Sequence, residues 1–357
     1  MREFRGLAAS VLAGLAIATT AAAEPPFQQH DLVLKDFHFR SGETLPELKL
    51  HYWTLGQPQK DAAGHVTNAV LILHGTGGSG HQFAAPQFAD VLFKPGGLLD
   101  PAKYFLIMPD EIGHGASSKP SDGLHMKFPK YDYADMIEGD HAVTTSLGVQ
   151  QLRLVMGTSM GCMHSFMYAE TYPDGARAAM PLACQAVALG GRNRLWREMS
   201  ITSIKSDPAW MGGEYKTEPK LGLMGAENLL IIAGQSAWPM QIAMPKGEQV
   251  DAWYAQQLPQ RLKDAEANDL IYQLEASRTY DPSPDLEKIK APLTWVNSCD
   301  DFINPPELGL AQTEIKRVKG GKFVLIPCRP DTHGHGTHTW AVFWKADLAD
   351  LLKRSGG

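Results

Sequence analysis

The run LRLVMGTSMGCMHSFMYAETYPD, residues 152–174, leads an apolar, strand-like segment through Gly157-Thr158-Ser159-Met160-Gly161 and directly into a helical pattern. A G-X-S-X-G pentapeptide between a strand and a helix is a nucleophile elbow. The serine sits on a strained turn, and a glycine two residues to either side removes the Cβ atoms that would collide where backbone meets backbone. The helix that follows aims its first amides and the positive end of its dipole at the same point. Ser159 is the candidate nucleophile.

Working outward, the same rhythm recurs. Short apolar runs, NAVLILHG, YFLIMPD, LRLVMG and AAMPLACQ, end in polar or glycine-rich loops, with helical segments such as YADMIEGDHAVTTSLGV between them. Apolar strands alternating with helices predict an α/β fold with a mostly parallel sheet covered on both faces. Ahead of them, HDLVLKDFHFRSGETLPELKLHYWTLG alternates apolar and polar residues about an SGE turn, the pattern of a β-hairpin. From residue 189 to 284 the strand rhythm stops, and this stretch reads as a helical cap inserted into the core formed by 24–188 and 285–357. Strands resume with APLTWVNSCDD and GKFVLIPCRPD, and HTWAVFWKADLADLLKR reads as a closing amphipathic helix.

Residues 1–23 have two arginines, an apolar Ala/Leu-rich run and small residues at Ala21–Ala23, which predicts a signal peptide and a periplasmic or secreted mature protein. No later segment is apolar enough to span a bilayer, so no stable membrane insertion is expected after cleavage. A net charge of −6 without a basic cluster excludes a nucleic-acid surface. A homodimer is left open. Export would permit disulfides; Cys299 and Cys328 each close a strand-like run, which could bring them within bonding range, whereas Cys162 is expected as a buried, unreactive thiol beside the site.

A serine hydroxyl needs a base, and the base needs a carboxylate to orient it. After an elbow, the acid and then the base follow on loops that end later strands. The first loop, VNSCDDFINPPE, offers Asp300 and Asp301. The second, DTHGHGTHTW, offers His333, His335 and His338. The expected oxyanion donors are the N–H groups of Met160 and of Thr76, in LHGTGGSG. His74 and His114 read as hydrogen-bonding turn residues. Because only one histidine cluster exists and the serine claims one of its members, no metal or cofactor is expected. Trp196, Met199, Trp210, Met211, Trp238, Met240 and Met244 either line an acyl pocket or pack the cap on the core.

These motifs together resemble the homoserine O-acetyltransferase-like group of α/β-hydrolases over nearly the whole mature chain. GTSMGCMHSFMYAETYPD is similar to that group's GGSMGGMQ elbow and trailing YPD, and FPKYDYADMIEGDHAVTTSLGVQQL to its approach to the elbow. DDFINPPE resembles its acid loop, and alignment on Pro305 and Pro306 selects Asp301; GHGTHTW resembles its GHD motif and selects His335. Two departures point away from acetyl transfer. Glu227 stands where the resemblance implies an Arg for an amino-acid carboxylate, and DEIGHGASSKP is similar to the Asp-X-X-Gly-His-Gly-X-Ser loop of ordinary hydrolases. Acetyl-CoA is also not expected outside the cytoplasm. The expected activity is hydrolysis of a small-molecule ester, thioester or lactone, with acyl transfer to an alcohol or amine as the alternative.

Overall fold

A computed structural model describes residues 26–356. The predicted signal peptide lies outside the described residues, and among those described no helix is long and apolar enough to cross a membrane. The strands are β1 Gln28–His38, β2 Thr44–Leu55, β3 Ala69–Leu73, β4 Phe105–Pro109, β5 Leu154–Thr158, β6 Ala179–Leu182, β7 Leu293–Ser298 and β8 Gly321–Ile326. They form one eight-stranded sheet in the order β1-β2-β4-β3-β5-β6-β7-β8. The β1–β2 hairpin pairs antiparallel to itself and to β4, and the other pairings are parallel.

The two-residue period of a strand sorts its side chains between two cores. Along β3, Ala69, Leu71 and Leu73 join one apolar cluster, while Val70 and Ile72 join the other. The first cluster is covered by α2 Tyr133–Ser146 and α3 Met160–Thr171, through residues such as Ile137 and Phe166. The second is covered by α1 Pro86–Leu92 and, at the C-terminus, by Lys345–Arg354. β3, β5, β6 and β7 are thus buried along their length, whereas β8, at the edge of the sheet, is only partly covered.

Between β6 and β7 the chain forms α4 Gly191–Ser206, α5 Lys220–Gly234, α6 Ala237–Ala243, α7 Gly247–Lys263 and α8 Ala267–Glu275, with their own small core around Ile204, Leu223 and Leu274. α9 Leu310–Glu314 follows β7, and α10 is the closing helix Lys345–Arg354. The helix read from His338 onward starts only at Lys345. Residues 334–339 and 341–343 are 3₁₀ turns instead, where His333 stacks on Trp340 at 4.1 Å and Trp344 Nε1 donates to the His338 carbonyl.

Candidate active site

Ser159 ends β5 and caps α3 with φ 57° and ψ −107°, a backbone conformation that an L-residue holds only under constraint. The constraint is steric. A Cβ on Gly157 would lie 2.2 Å from the Gly161 carbonyl oxygen, and one on Gly161 would lie 2.0 Å from that of Leu73. Both glycines are therefore required for the sharp turn. Ser159 N–H donates to the Leu182 carbonyl at 2.8 Å, tying the turn to β6.

The loops after β7 and β8 meet at this turn. His335 Nε2 lies 2.7 Å from Ser159 Oγ, and His335 Nδ1 lies 2.9 Å from Asp301 Oδ2. A carboxylate accepts only, so Nδ1 carries the proton and Nε2 is left to accept from the serine hydroxyl. Asp301 is fully buried, and its other contacts are all donors: Ile303 N–H and Asn304 N–H to Oδ1, and Asn304 Nδ2 to Oδ2. Burial pushes this carboxyl up, but the charge and hydrogen bond of His335 and the Asn304 donors outweigh it and hold it below the usual range.

Asp300 has a separate task. It accepts from Ser298 Oγ, from Thr332 Oγ1 at 2.7 Å and from Gly334 N–H at 3.1 Å, fixing the histidine loop to the end of β7. His333 is held by its stacking on Trp340. His338 lies 5.0 Å from the His335 ring and is kept neutral, its pKa pushed down to about 3 by burial and then by the charge of His335. Among the described residues the three histidines do not converge as metal ligands. Among the described residues, the buried group close enough to hold a cation is Glu111, Asp140 and His164, the last two on α2 and α3.

Opposite the histidine, Gly75 brings the loop after β3 against the elbow, for a Cβ there would lie 3.3 Å from Ser159 Cβ. Among the described residues the N–H groups of Thr76 and Met160 donate to no protein acceptor. His74 holds this loop from below: its Nδ1 donates to the Gly75 carbonyl at 2.8 Å, and its Nε2 accepts from Glu111 N–H at 3.1 Å. Asp110, which sequence reasoning did not single out, ties two loops together by accepting from Gly80 N–H at 2.7 Å and Ala116 N–H at 2.9 Å. Its signal was the DEIGHGAS loop itself, read for His114 rather than for its first residue.

The expectation of a free Cys162 is overturned. Cys162, in the first turn of α3, is bonded to Cys184, just past β6, and Cys299 is bonded to Cys328. Because β5 and β6 are neighbours, the residues leaving their ends come within reach, with Cα atoms 5.7 Å apart. The Trp and Met set divides: Trp196 borders the larger cavity at Ser159 and, with Trp210, packs in the small core of the helices between β6 and β7, whereas Met199, Met211 and Trp238 are exposed.

Among the described residues, Ser159 borders two cavities. One, of about 450 Å³, runs between the stretch after β6 and the acid loop and is mostly apolar, with Val187, Leu189, Ile303 and Leu308 in its wall. The other, of about 860 Å³, lies under the helical segment and is mixed in character, with Thr76, Gln82, Glu227, Arg261 and His335 as its polar border. Glu227 is not a bare anion there, since Arg261 Nη1 sits 2.9 Å from its carboxylate. Arg197, on α4, borders both cavities.

This arrangement can attack a carbonyl, hold the resulting oxyanion and pass a proton through an imidazole. Residues 68–314 match the alpha/beta hydrolase fold family model. The chain belongs to the α/β-hydrolase fold family. Within it, it falls in the homoserine O-acetyltransferase-like group: it is 30% identical to the homoserine O-acetyltransferase of Pelobacter propionicus, over 83% of this chain and 87% of that one. Two further homoserine O-acetyltransferases are matched over only 55% and 59% of their own lengths. Among solved structures, the fold is similar to an acetylester hydrolase from Corynebacterium glutamicum (TM-score 0.79, 22% identity, 91% of this chain and 96% of that one). It is equally similar to the homoserine O-acetyltransferase of Bacillus anthracis (TM-score 0.79, 19% identity, 92% and 98%). This α/β-hydrolase is accordingly an enzyme of acyl-ester chemistry.

Proposed function

We propose that the protein is an exported serine hydrolase that cleaves an ester, thioester or lactone of a small molecule through an acyl-enzyme. The observation that carries this reading is the unbroken relay from Ser159 Oγ to His335 Nε2 and from His335 Nδ1 to Asp301. In it, Ser159 attacks the carbonyl as His335 takes its proton, and the Thr76 and Met160 amides receive the oxyanion. His335 then protonates the leaving group, water enters, and the same imidazole activates it to release the acid. Asp301 keeps the proton on Nδ1 and stabilises the charged ring. The helices between β6 and β7 serve as the cap over this chemistry.

Export is supported by the leader sequence and by two disulfides, which persist in oxidising compartments. Acyl transfer remains the second reading, favoured by the acetyltransferase relatives and by the larger cavity, which would accept a second substrate. Incubation with an activated short-chain ester, with and without alcohols and amines, separates the two. Hydrolysis predicts free acid whatever is added; capture of most of the acyl group by an acceptor would make the enzyme a transferase. Failure of a fluorophosphonate to label folded protein at Ser159 would remove both.

A further inference from the structure

Arg197 is a cation out of place. Its side chain is almost entirely buried at 2% exposure, yet among the described residues no carboxylate pairs with it. The acids of the surrounding helices are engaged elsewhere: Glu227 with Arg261, and Glu198 and Glu275 with Arg194 and Arg278. Arg197 Nε donates to Asn193 Oδ1 at 3.2 Å, its guanidinium carbon lies 4.7 Å from the Trp196 ring centroid, and among the described residues its buried Nη1 has no acceptor in good hydrogen-bond geometry. The Tyr133 hydroxyl interacts with Arg197 but supplies no opposite charge, for burial pushes that group's ionisation up. A desolvated charge without a counter-ion is costly, and proteins hold one where something else supplies the opposite charge. Arg197 borders both cavities described at Ser159, so its charge lies beside the place a substrate must occupy.

We infer that Arg197 and Asn193 form a carboxylate subsite, and that the preferred substrates are esters carrying a carboxylate on the acyl or the alcohol side of the scissile bond. A guanidinium presents parallel N–H donors that match a carboxylate, and the Asn193 amide borders the same apolar cavity. The reading rests on the serine hydrolase assignment and adds what that chemistry selects.

The test uses the full chain and two pairs of esters. On the acyl side, mono-4-nitrophenyl adipate is compared with its methyl ester; on the alcohol side, 4-acetoxybenzoate with its methyl ester. The anionic-to-neutral ratio of kcat/KM, normalised to the spontaneous hydroxide rates, is expected to exceed unity in one pair. That ratio should fall by about 30-fold or more in Arg197→Met, the loss expected when one partner of a desolvated charge pair is removed, and should recover in part in Arg197→Lys. The pair that responds identifies which side bears the charge. A normalised wild-type ratio at or below unity in both pairs, or the same ratio in wild type and Arg197→Met, overturns the inference, and the wild-type result alone decides if the variant does not fold. Absence of Ser159-dependent turnover of the neutral methyl esters would instead overturn the hydrolase assignment beneath it.

Discussion

Replacing Asp301 with asparagine changes one atom's chemistry and leaves its shape. The amide oxygen can still accept from the Ile303 and Asn304 N–H groups, the two donors now serving Oδ1. The amide nitrogen then takes the place of Oδ2, facing His335 Nδ1 and Asn304 Nδ2, both of which are donors in the native protein. His335 can relieve that conflict by moving its proton from Nδ1 to Nε2, but the ring then points an N–H at Ser159 Oγ, 2.7 Å away, and can no longer take the serine's proton. A triad locked in the wrong tautomer loses about 10⁴-fold in kcat, or about 5.5 kcal/mol of transition-state stabilisation. Stability should fall by only about 1–3 kcal/mol, from the donor left unmatched at Asn304. The assay is kcat/KM for a 4-nitrophenyl ester alongside urea unfolding. A kcat within about tenfold of wild type, in protein that is folded, would refute the tautomer argument.

Other consequences are equally specific. Gly161→Ala places a methyl 2.0 Å from the Leu73 carbonyl oxygen, so it should cost about 3 kcal/mol or more and abolish fluorophosphonate labelling at Ser159, measured by urea unfolding and gel fluorescence. Removing the Cys162–Cys184 bond by Cys162→Ala with Cys184→Ala opens a loop of sequence separation 22 and should lower stability by about 3 kcal/mol; an unchanged urea midpoint would count against the pairing. His74 is buried, with its pKa pushed down to about 4 mainly by burial, so the unfolded chain binds its proton first, at about 6.5. Its contribution is therefore complete above about pH 6.5 and is lost as the pH falls toward 4, amounting to about 2 kcal/mol at about pH 5. Urea unfolding at these two pH values should show a smaller loss in His74→Gln than in wild type.

The frame of the fold was legible because its signals are local. Runs such as AVLIL and FLIMP are too short and too apolar for anything but buried strands, and G-X-S-X-G states a backbone requirement that the Gly157 and Gly161 contacts make explicit. What could not be read depends on distance in space. Cys162 and Cys184 are brought together only by the crossover that sets β6 beside β5, an adjacency no residue near either cysteine encodes. The Trp and Met residues between β6 and β7 carried a composition signal without a direction, and the direction placed Trp196 inward and Met211 and Trp238 outward. The pairing of Glu227 was likewise invisible, because its partner Arg261 is 34 residues away on a different helix.

The adjacent aspartates after β7 show why spacing alone left two candidates for the acid. In the turn that follows β7, Asp300 and Asp301 take different partners. Asp301 turns inward and is enclosed by donors, where a carboxylate can hold a histidine against its own burial. Asp300 turns toward Thr332 and Gly334, at the other end of the loop that delivers that histidine. One carboxylate thus orients the His335 ring while its neighbour fixes the backbone that carries it, and a shift of the β8 loop would strain both at once. Asp300→Ala should consequently lower kcat with little change in KM, because Asp300 holds the backbone that carries the base and lines neither of the two cavities described at Ser159. A loss confined to KM would show that the loop shapes the substrate site rather than the position of the base.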